Sequence, residues 1–343
     1  MSTTKRLDEP WMLGPLRVPN RVLLAPLAGI GNWFVRLQAK RYGAGMAVSE
    51  MVSTHAIHHR NDKTCVEMLR IDPREQAGGP VSIQLFGEDA AVMREAAAHV
   101  AALGADAIDI NMGCPVPKVC KTGAGAAMLD DPRRAVELAR AAVAGAVGAG
   151  GPLPVTVKLR SGVRRGETSG FELAQRLVAD AGVAAIAFHP RSAAVQHKGE
   201  PDYALVARLV EALDAPVILT GGLHDAVSAR RAFERTGADA VMLARGALGN
   251  PWLFAELVHG RSRSPTRADV VDELDWTIER AVEHLGEARA TRYLRKFYPW
   301  YVARMRLDAR EAKQLQSTLQ QADTLELVRD ALQPSLAPAA LAV

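Results

Sequence analysis

Apolar residues come in short runs along this chain, at 22–28, 47–51, 81–86, 107–111, 155–160, 185–189, 216–220 and 240–244. Between them lie Ala-rich segments, among them 90–103, 132–147, 170–181, 203–213 and 226–236, whose apolar positions recur at helical spacing. Runs so short and continuous suit strands covered on both faces, and their alternation with amphipathic helices predicts an α/β fold. Eight such units in order favour a closed parallel (β/α)8 TIM barrel over an open doubly wound sheet. The open sheet would need a phosphate loop after an early strand, and Ala28-Gly29-Ile30-Gly31 does not complete the GxGxxG spacing. Beyond Leu253-Phe254 the alternation stops. Residues 261–265 read as a linker, the chain to about Leu332 reads as helices, and the Pro/Ala-rich end reads as a frayed tail. The expected plan is a catalytic barrel over 1–260, a small C-terminal helical domain over 261–333 and a flexible tail over 334–343.

Composition narrows the class. The 343 residues leave room for a barrel of about 250 residues and one appended module. With 48% hydrophobic residues but only 5% aromatic, Ala, Val and Leu have to fill the core. The three cysteines are odd in number and form no CxxC pair, so a disulfide scaffold or zinc site is not expected and a reducing cytoplasm fits. No signal core or membrane-length apolar run is present. The net charge of +4 gives a weak attraction to polyanions.

Candidate chemistry gathers at the strand ends. The run 107–110 leads directly into Asn111-Met112-Gly113-Cys114-Pro115, and the C-terminal strand ends of a parallel barrel are where its chemistry is done. A lone cysteine is by default a structural thiol. The neighbouring strand ends shift that weighting: Gln84 on strand three, Lys158 and Arg160 on strand five, His189 and Arg191 on strand six. Strand one runs out in small residues, where Pro26 and Ala28 would let a planar ring lie against the backbone. Gly221 and Gly222 after strand seven, with Arg245 and Gly246 after strand eight, make a phosphate site in the loops where such barrels usually hold one. The plainer reading is that these glycines only make tight turns. A phosphate there, with Lys158 and Gln84 projecting into the mouth, describes a pocket for FMN. Lys158 near the pyrimidine edge would stabilise the anionic reduced ring by on the order of 4 kcal/mol before desolvation.

A second cluster lies at 289–313, where Arg289, Arg292, Arg295, Lys296, Arg304, Arg306, Arg310 and Lys313 face only Asp308 and Glu311. Tyr293, Phe297, Tyr298, Trp300 and Tyr301 interleave with them. Charges for phosphates and aromatic faces for bases fit single-stranded or looped RNA, while some of the aromatics would anchor the helices. Lys118 and Lys121 extend the basic track toward Cys114. His55, His58 and His59 lack a supporting carboxylate or cysteine pattern, so they read as a helix face and no metal is expected.

These motifs have a joint resemblance. Ala25-Pro26-Leu27-Ala28-Gly29, Ser49-Glu50-Met51, Gln84-Leu85-Phe86-Gly87, Asn111-Met112-Gly113-Cys114-Pro115, Lys118, Gly123-Ala124-Gly125, Lys158-Leu159-Arg160, His189-Pro190-Arg191 and Gly249-Asn250-Pro251-Trp252 resemble the bacterial tRNA-dihydrouridine synthase family. The resemblance spans roughly 14–301. It implies an FMN barrel, a helical tRNA-binding domain and reduction of a D-loop uridine with NADPH as reductant. By position, Cys114 resembles the family's general acid, and Gln84, Lys158, His189 and Arg245 resemble its flavin contacts. Asn111 and Arg191 would face the uracil, with Lys118, Lys121, Arg292, Arg295 and Lys296 on the tRNA. The chain departs from the family pattern at Leu27, Gly31 and Asn32, at Thr220-Gly221-Gly222 in place of Asn-Gly-Asp, and at Ala244. Saturating the 5,6 double bond needs a hydride at C6 and a proton at C5. A thiol with an ordinary pKa near 8.5 is protonated at neutral pH and suits the second task. Cys120 is the rival thiol. A barrel flavoenzyme acting on a free pyrimidine, such as a dihydroorotate dehydrogenase, and an RNA-binding protein on an inactive barrel are the competing functions. A monomer is expected.

Overall fold

The computed structural model describes residues 5–260 and 264–333, so the expected tail and most of the expected linker lie outside the described residues. Eight parallel strands close into a barrel: β1 (Val22–Leu24), β2 (Met46–Ser53), β3 (Val81–Phe86), β4 (Ala107–Met112), β5 (Val155–Arg160), β6 (Ala185–His189), β7 (Val217–Thr220) and β8 (Ala240–Leu243). Closure is made by β8 against β1, with Val241, Met242 and Leu243 beside Val22, Leu23 and Leu24. The expected helices are present at Ala90–Ala102, Pro132–Gly145, Ser169–Ala181, Tyr203–Ala212 and Ala226–Thr236. Several start at an aspartate whose side chain accepts from the first-turn N–H groups, as Asp89, Asp131, Asp202 and Asp225 do.

Strand alternation decides what each residue faces. On β4, Ile108, Ile110 and Met112 belong to the large cluster under the helices, whereas Ala107, Asp109 and Asn111 have the opposite parity and turn into the barrel. The same alternation puts Val157 and Leu159 outside with Thr156, Lys158 and Arg160 inside, and Phe188 outside with Ala187 and His189 inside. The inward positions are mostly apolar at the N-terminal end, among them Leu23, Met46, Ala107 and Ala185, and polar at the C-terminal ends of β4, β5 and β6. That gradient builds a core below and a site above.

Two short hairpins were not expected from the sequence. The first pairs Trp11–Leu13 with Leu16–Val18 and plugs the barrel bottom against Leu23, Met46 and Ala185. The second pairs Val147–Gly148 with Gly151–Pro152.

After the barrel come the helices Arg267–Leu285, Glu287–Leu294, Tyr298–Val302, Ala309–Gln321 and Leu325–Leu332, with no strand among the described residues there. They pack on the barrel helix Trp33–Arg41. Gln38 donates to Glu273, Thr277 and the Tyr301 hydroxyl at 2.8, 3.1 and 2.8 Å, and Tyr42 donates to Glu273 at 2.6 Å. Phe34 meets Tyr293 and Phe297, at ring separations of 6.3 and 6.4 Å. The loop after β8 seats against the same helices. Gly249 has a φ of +59°, and a β-carbon there would lie 2.5 Å from the Trp300 backbone. The Gly249-Asn250-Pro251-Trp252 motif is thus a joint between barrel and helices.

Candidate active site

A cavity of about 650 Å³ opens at the C-terminal strand ends. Its wall takes residues from successive strands: Pro26 and Ala28 after β1, Met51 on β2, Asn111 and Cys114 from β4, Lys158 and Arg160 from β5, and His189 and Arg191 from β6. Thr220, Gly221 and Gly222 after β7 and Arg245 and Gly246 after β8 complete it. Lys296 and Trp300 reach it from the helical region.

Cys114 is half-buried at the wall. Burial pushes its thiol up, against the Val116 N–H and the charges of Arg160 and Lys158, so it is protonated through neutral pH. The turn that carries it is pinned twice. Asn111 Oδ1 accepts from the N–H groups of Gly113 and Cys114 at 3.2 and 2.9 Å, and Arg160 Nε donates to the Gly113 carbonyl at 2.8 Å. Cys120 does not line the cavity, and its thiol donates to the Cys114 carbonyl at 3.2 Å.

Lys158 has no hydrogen-bond or ion-pair partner among the described residues. Burial and then Arg160 push its pKa down, and Asp109 and Cys114 pull the other way. Burial pushes the fully buried Asp109 up to about 6, against the hydrogen bonds from Gln84 and Thr156 and the charge of Lys158. Burial, followed by the cations Lys158, Arg160 and Arg191, drives His189 far below the usual histidine range, so its ring is neutral. Arg191 Nη1 faces His189 Nε2 at 3.4 Å. A guanidinium can only donate, which leaves the ring proton on Nδ1. His197 stacks on His189 at 5.8 Å and is pushed down to about 4, mainly by burial.

Close packing requires glycine at three positions of the wall. Gly221 has a φ of +98° and a β-carbon there would meet the His189 ring at 2.4 Å. Gly222, with a φ of +80°, would meet the Tyr203 hydroxyl at 2.5 Å, and a side chain on Gly246 would meet the Leu223 carbonyl at 2.6 Å. Arg245 is exposed beside them without a partner among the described residues.

Some expected residues sit elsewhere. Gln84 does not project into the mouth: it is fully buried, donating to Asp109 at 2.6 Å and accepting from Asn111 at 2.8 Å. Arg191 lines the cavity, but its Nε and Nη2 donate to the Gly199 carbonyl at 3.0 and 2.7 Å. Arg295 faces away from the mouth, toward the Ala322 carbonyl and Asp323, each at 3.2 Å. Arg289 pairs with Glu67 through two contacts of 2.8 Å. Lys118, Lys121 and Arg292 are exposed without partners among the described residues, and Lys296 donates to the Gly29 carbonyl at 3.1 Å. Most of the aromatics take the anchoring role: Phe297, Tyr298 and Tyr301 are buried, and the Tyr293 hydroxyl accepts from Asn32 at 2.6 Å. Of the five, only Trp300 is exposed. His55 and His58 meet Glu88 and Glu95 at 3.0 and 2.8 Å, and no cluster of three or more metal-ligating side chains occurs among the described residues.

Sequence reasoning passed over two features. Asp109 was legible as a charge at the inward parity of Asn111. The bulge on β2 was not: Val48 pairs with Ser82 but Met51 with Gln84, so one extra residue enters at Ser49-Glu50. The Ser49 hydroxyl accepts from the Gln84 N–H at 2.9 Å across the gap, and Glu50 accepts from the Gly29 N–H at 2.9 Å.

The dihydrouridine synthase family model matches residues 23–337. A tRNA-dihydrouridine synthase B of Pseudomonas aeruginosa is 36% identical over 319 residues, 91% of this chain and 92% of that protein. A probable tRNA-dihydrouridine synthase of Rhodobacter capsulatus is 37% identical over 332 residues, covering 93% and 97%. Among solved structures, morphinone reductase shares the fold with a TM-score of 0.57 at 18% identity, over 79% of this chain and 94% of that one. Sequence and architecture agree: the chain belongs to the dihydrouridine synthase family and is an oxidoreductase.

Proposed function

We propose that this chain is an FMN-dependent tRNA-dihydrouridine synthase that uses NADPH as reductant and Cys114 as general acid. The observation that carries the reading is the placement, at the ends of two adjacent strands and in one cavity, of a protonated thiol and a lysine without a partner among the described residues. The residues present fit the cofactor. Gly221, Gly222 and Gly246 leave backbone where side chains would clash, and Arg245 supplies a cation for a phosphate. Pro26 and Ala28 offer a flat wall, Lys158 a charge and neutral His189 an uncharged ring. Reduced FMN, when bound, supplies the hydride for C6 of uracil.

The remaining work belongs to the protein. Cys114 delivers the proton to C5, and its raised pKa keeps that proton available across neutral pH. Asn111 and Arg160 hold the thiol's turn while Asn111 also lines the cavity that receives the base. A uridine within folded RNA has to be swung out of its stack to reach that depth. Together with Glu50 and the Arg289-paired Glu67, Lys63, Arg292 and Lys296 line a recess of about 300 Å³ whose cations suit the flanking RNA backbone. Exposed Lys118 and Lys121 follow the lining residues Val116 and Pro117, and exposed Trp300 in the cavity wall suits a base face. The helical region over 264–333 acts in this reading as the tRNA-binding part.

The test is dihydrouridine content by mass spectrometry, after incubating unmodified tRNA with the protein, FMN and NADPH. The wild type is expected to form dihydrouridine, and K118E/K121E/R292E to lose most of it while keeping bound flavin. Turnover of a free pyrimidine with no product on tRNA would instead make the chain a small-molecule oxidoreductase. Deleting the helical region is a poorer test, because it would uncover Phe34, Gln38 and the packed rings around them.

A further inference from the structure

Asp109 is a buried acid that the mechanism above leaves unused. It sits inside the barrel beneath the cavity, fully buried, and two donors reach it: the Thr156 hydroxyl at Oδ1, and Gln84 Nε2 at Oδ2, 2.6 Å away. Gln84 Oε1 then accepts from Asn111 Nδ2 at 2.8 Å, and Asn111 Oδ1 accepts from the Gly113 and Cys114 N–H groups. The chain of bonds runs between two fixed ends. At the top, backbone N–H groups can only donate. At the bottom, an ionised carboxylate can only accept. Both amides between them must therefore point the same way, and removing the terminal acceptor leaves the Gln84 NH2 buried with nothing to meet.

We propose that Asp109 is a positioning residue: acting through Gln84 and Asn111, it holds the Gly113-Cys114 turn so that the thiol faces the cavity. The inference deepens the role proposed above for Cys114 and rests on it. Thr156 gives the chain a second safeguard. An asparagine at 109 can keep its carbonyl on Gln84 and turn its NH2 toward the Thr156 oxygen, so direction survives. With valine at 156 as well, that NH2 has no partner.

The test compares D109L, D109N, T156V and D109N/T156V by two readouts on the full-length flavoprotein. One is the rate at which iodoacetamide alkylates Cys114 relative to Cys65, resolved by peptide mass spectrometry across pH. The other splits turnover into flavin reduction by NADPH and reoxidation by unmodified tRNA. D109L and the double variant are expected to reduce flavin within about twofold of wild type but to slow reoxidation by at least about tenfold, since small misplacements of a reacting group cost that much. Their relative Cys114 alkylation shifts by at least about threefold, while D109N and T156V each stay near wild type, a non-additive cycle. Wild-type alkylation and reoxidation in D109L would overturn the inference. D109N as impaired as D109L would overturn it too, by assigning the effect to charge rather than to bond direction. If D109L fails to fold, the D109N/T156V cycle decides. If wild type itself is not reoxidised by tRNA, the function proposed above fails, and the alkylation profile still decides whether Asp109 positions the thiol.

Discussion

Cys114 and Lys158 face one cavity, and burial moves both from their ordinary acidity, the thiol up and the lysine down. Burial raises the thiol, so the proton is held through neutral pH and lost only as pH rises through a value above the ordinary one. Reoxidation of reduced flavin by tRNA should accordingly stay flat from pH 6.5 to about 8.5 and decline above that, the ordinary range for a thiol. A decline beginning near neutrality would oppose a raised thiol as donor. Lys158, lacking any partner among the described residues, is available to balance negative charge on the reduced ring. Lys158→Met should lower the potential of bound flavin by on the order of 40 mV, the equivalent of about 2 kcal/mol for two electrons. Spectroelectrochemical titration reads this directly, and an unchanged potential would place the ammonium away from the ring. A different residue tests the scaffold. Arg36 and Glu75 are fully buried and doubly bonded at 2.8 and 2.7 Å, with Arg36 also donating to the Gly31 and Arg70 carbonyls. Arg36→Met strands Glu75 and should cost about 3–5 kcal/mol in urea unfolding.

At the scale of elements, strand positions were readable because each is a continuous apolar run, and β3, β5 and β6 begin and end where the hydrophobicity does. Which way a polar side chain points was readable only in part. Asn111, Lys158 and His189 reach the cavity as expected, whereas Gln84, on the same inward parity, lies one layer deeper because Asp109 and Asn111 hold it there. Which of the interleaved aromatics anchor the helices was not readable, for a related reason. A pattern of rings among basic residues is the same whether the rings meet bases or Phe34, and only packing separates the two. The plug hairpin escaped because three-residue strands carry too little alternation to show. Gly249 sits at the joint between barrel and helices. Its left-handed φ and the Trp300 backbone against it leave no room for a side chain. Gly249→Val should loosen the helices from the barrel, seen as faster proteolysis within 264–333 while the barrel core remains protected from hydrogen exchange. Equal protease resistance would mean that the joint is held elsewhere.

For the whole molecule, the net charge of +4 understates the asymmetry. Cations without partners among the described residues gather at one end of the barrel: Lys63 and Arg292 in the recess, Arg245 in the cavity wall, and Lys118 and Lys121 just after the lining residues Val116 and Pro117. Affinity for tRNA should therefore fall steeply with salt, with a log–log slope that shrinks as these residues are removed. Those cations would hold the RNA, while Cys114 would supply the proton. The most direct test reduces the flavoprotein anaerobically and mixes it with unmodified tRNA in a single turnover, following flavin absorbance and then dihydrouridine by mass spectrometry. Wild type should reoxidise in step with product formation, while Cys114→Ala binds tRNA, keeps its flavin reduced and forms no product. Reoxidation and dihydrouridine formation by Cys114→Ala at the wild-type rate would contradict the account.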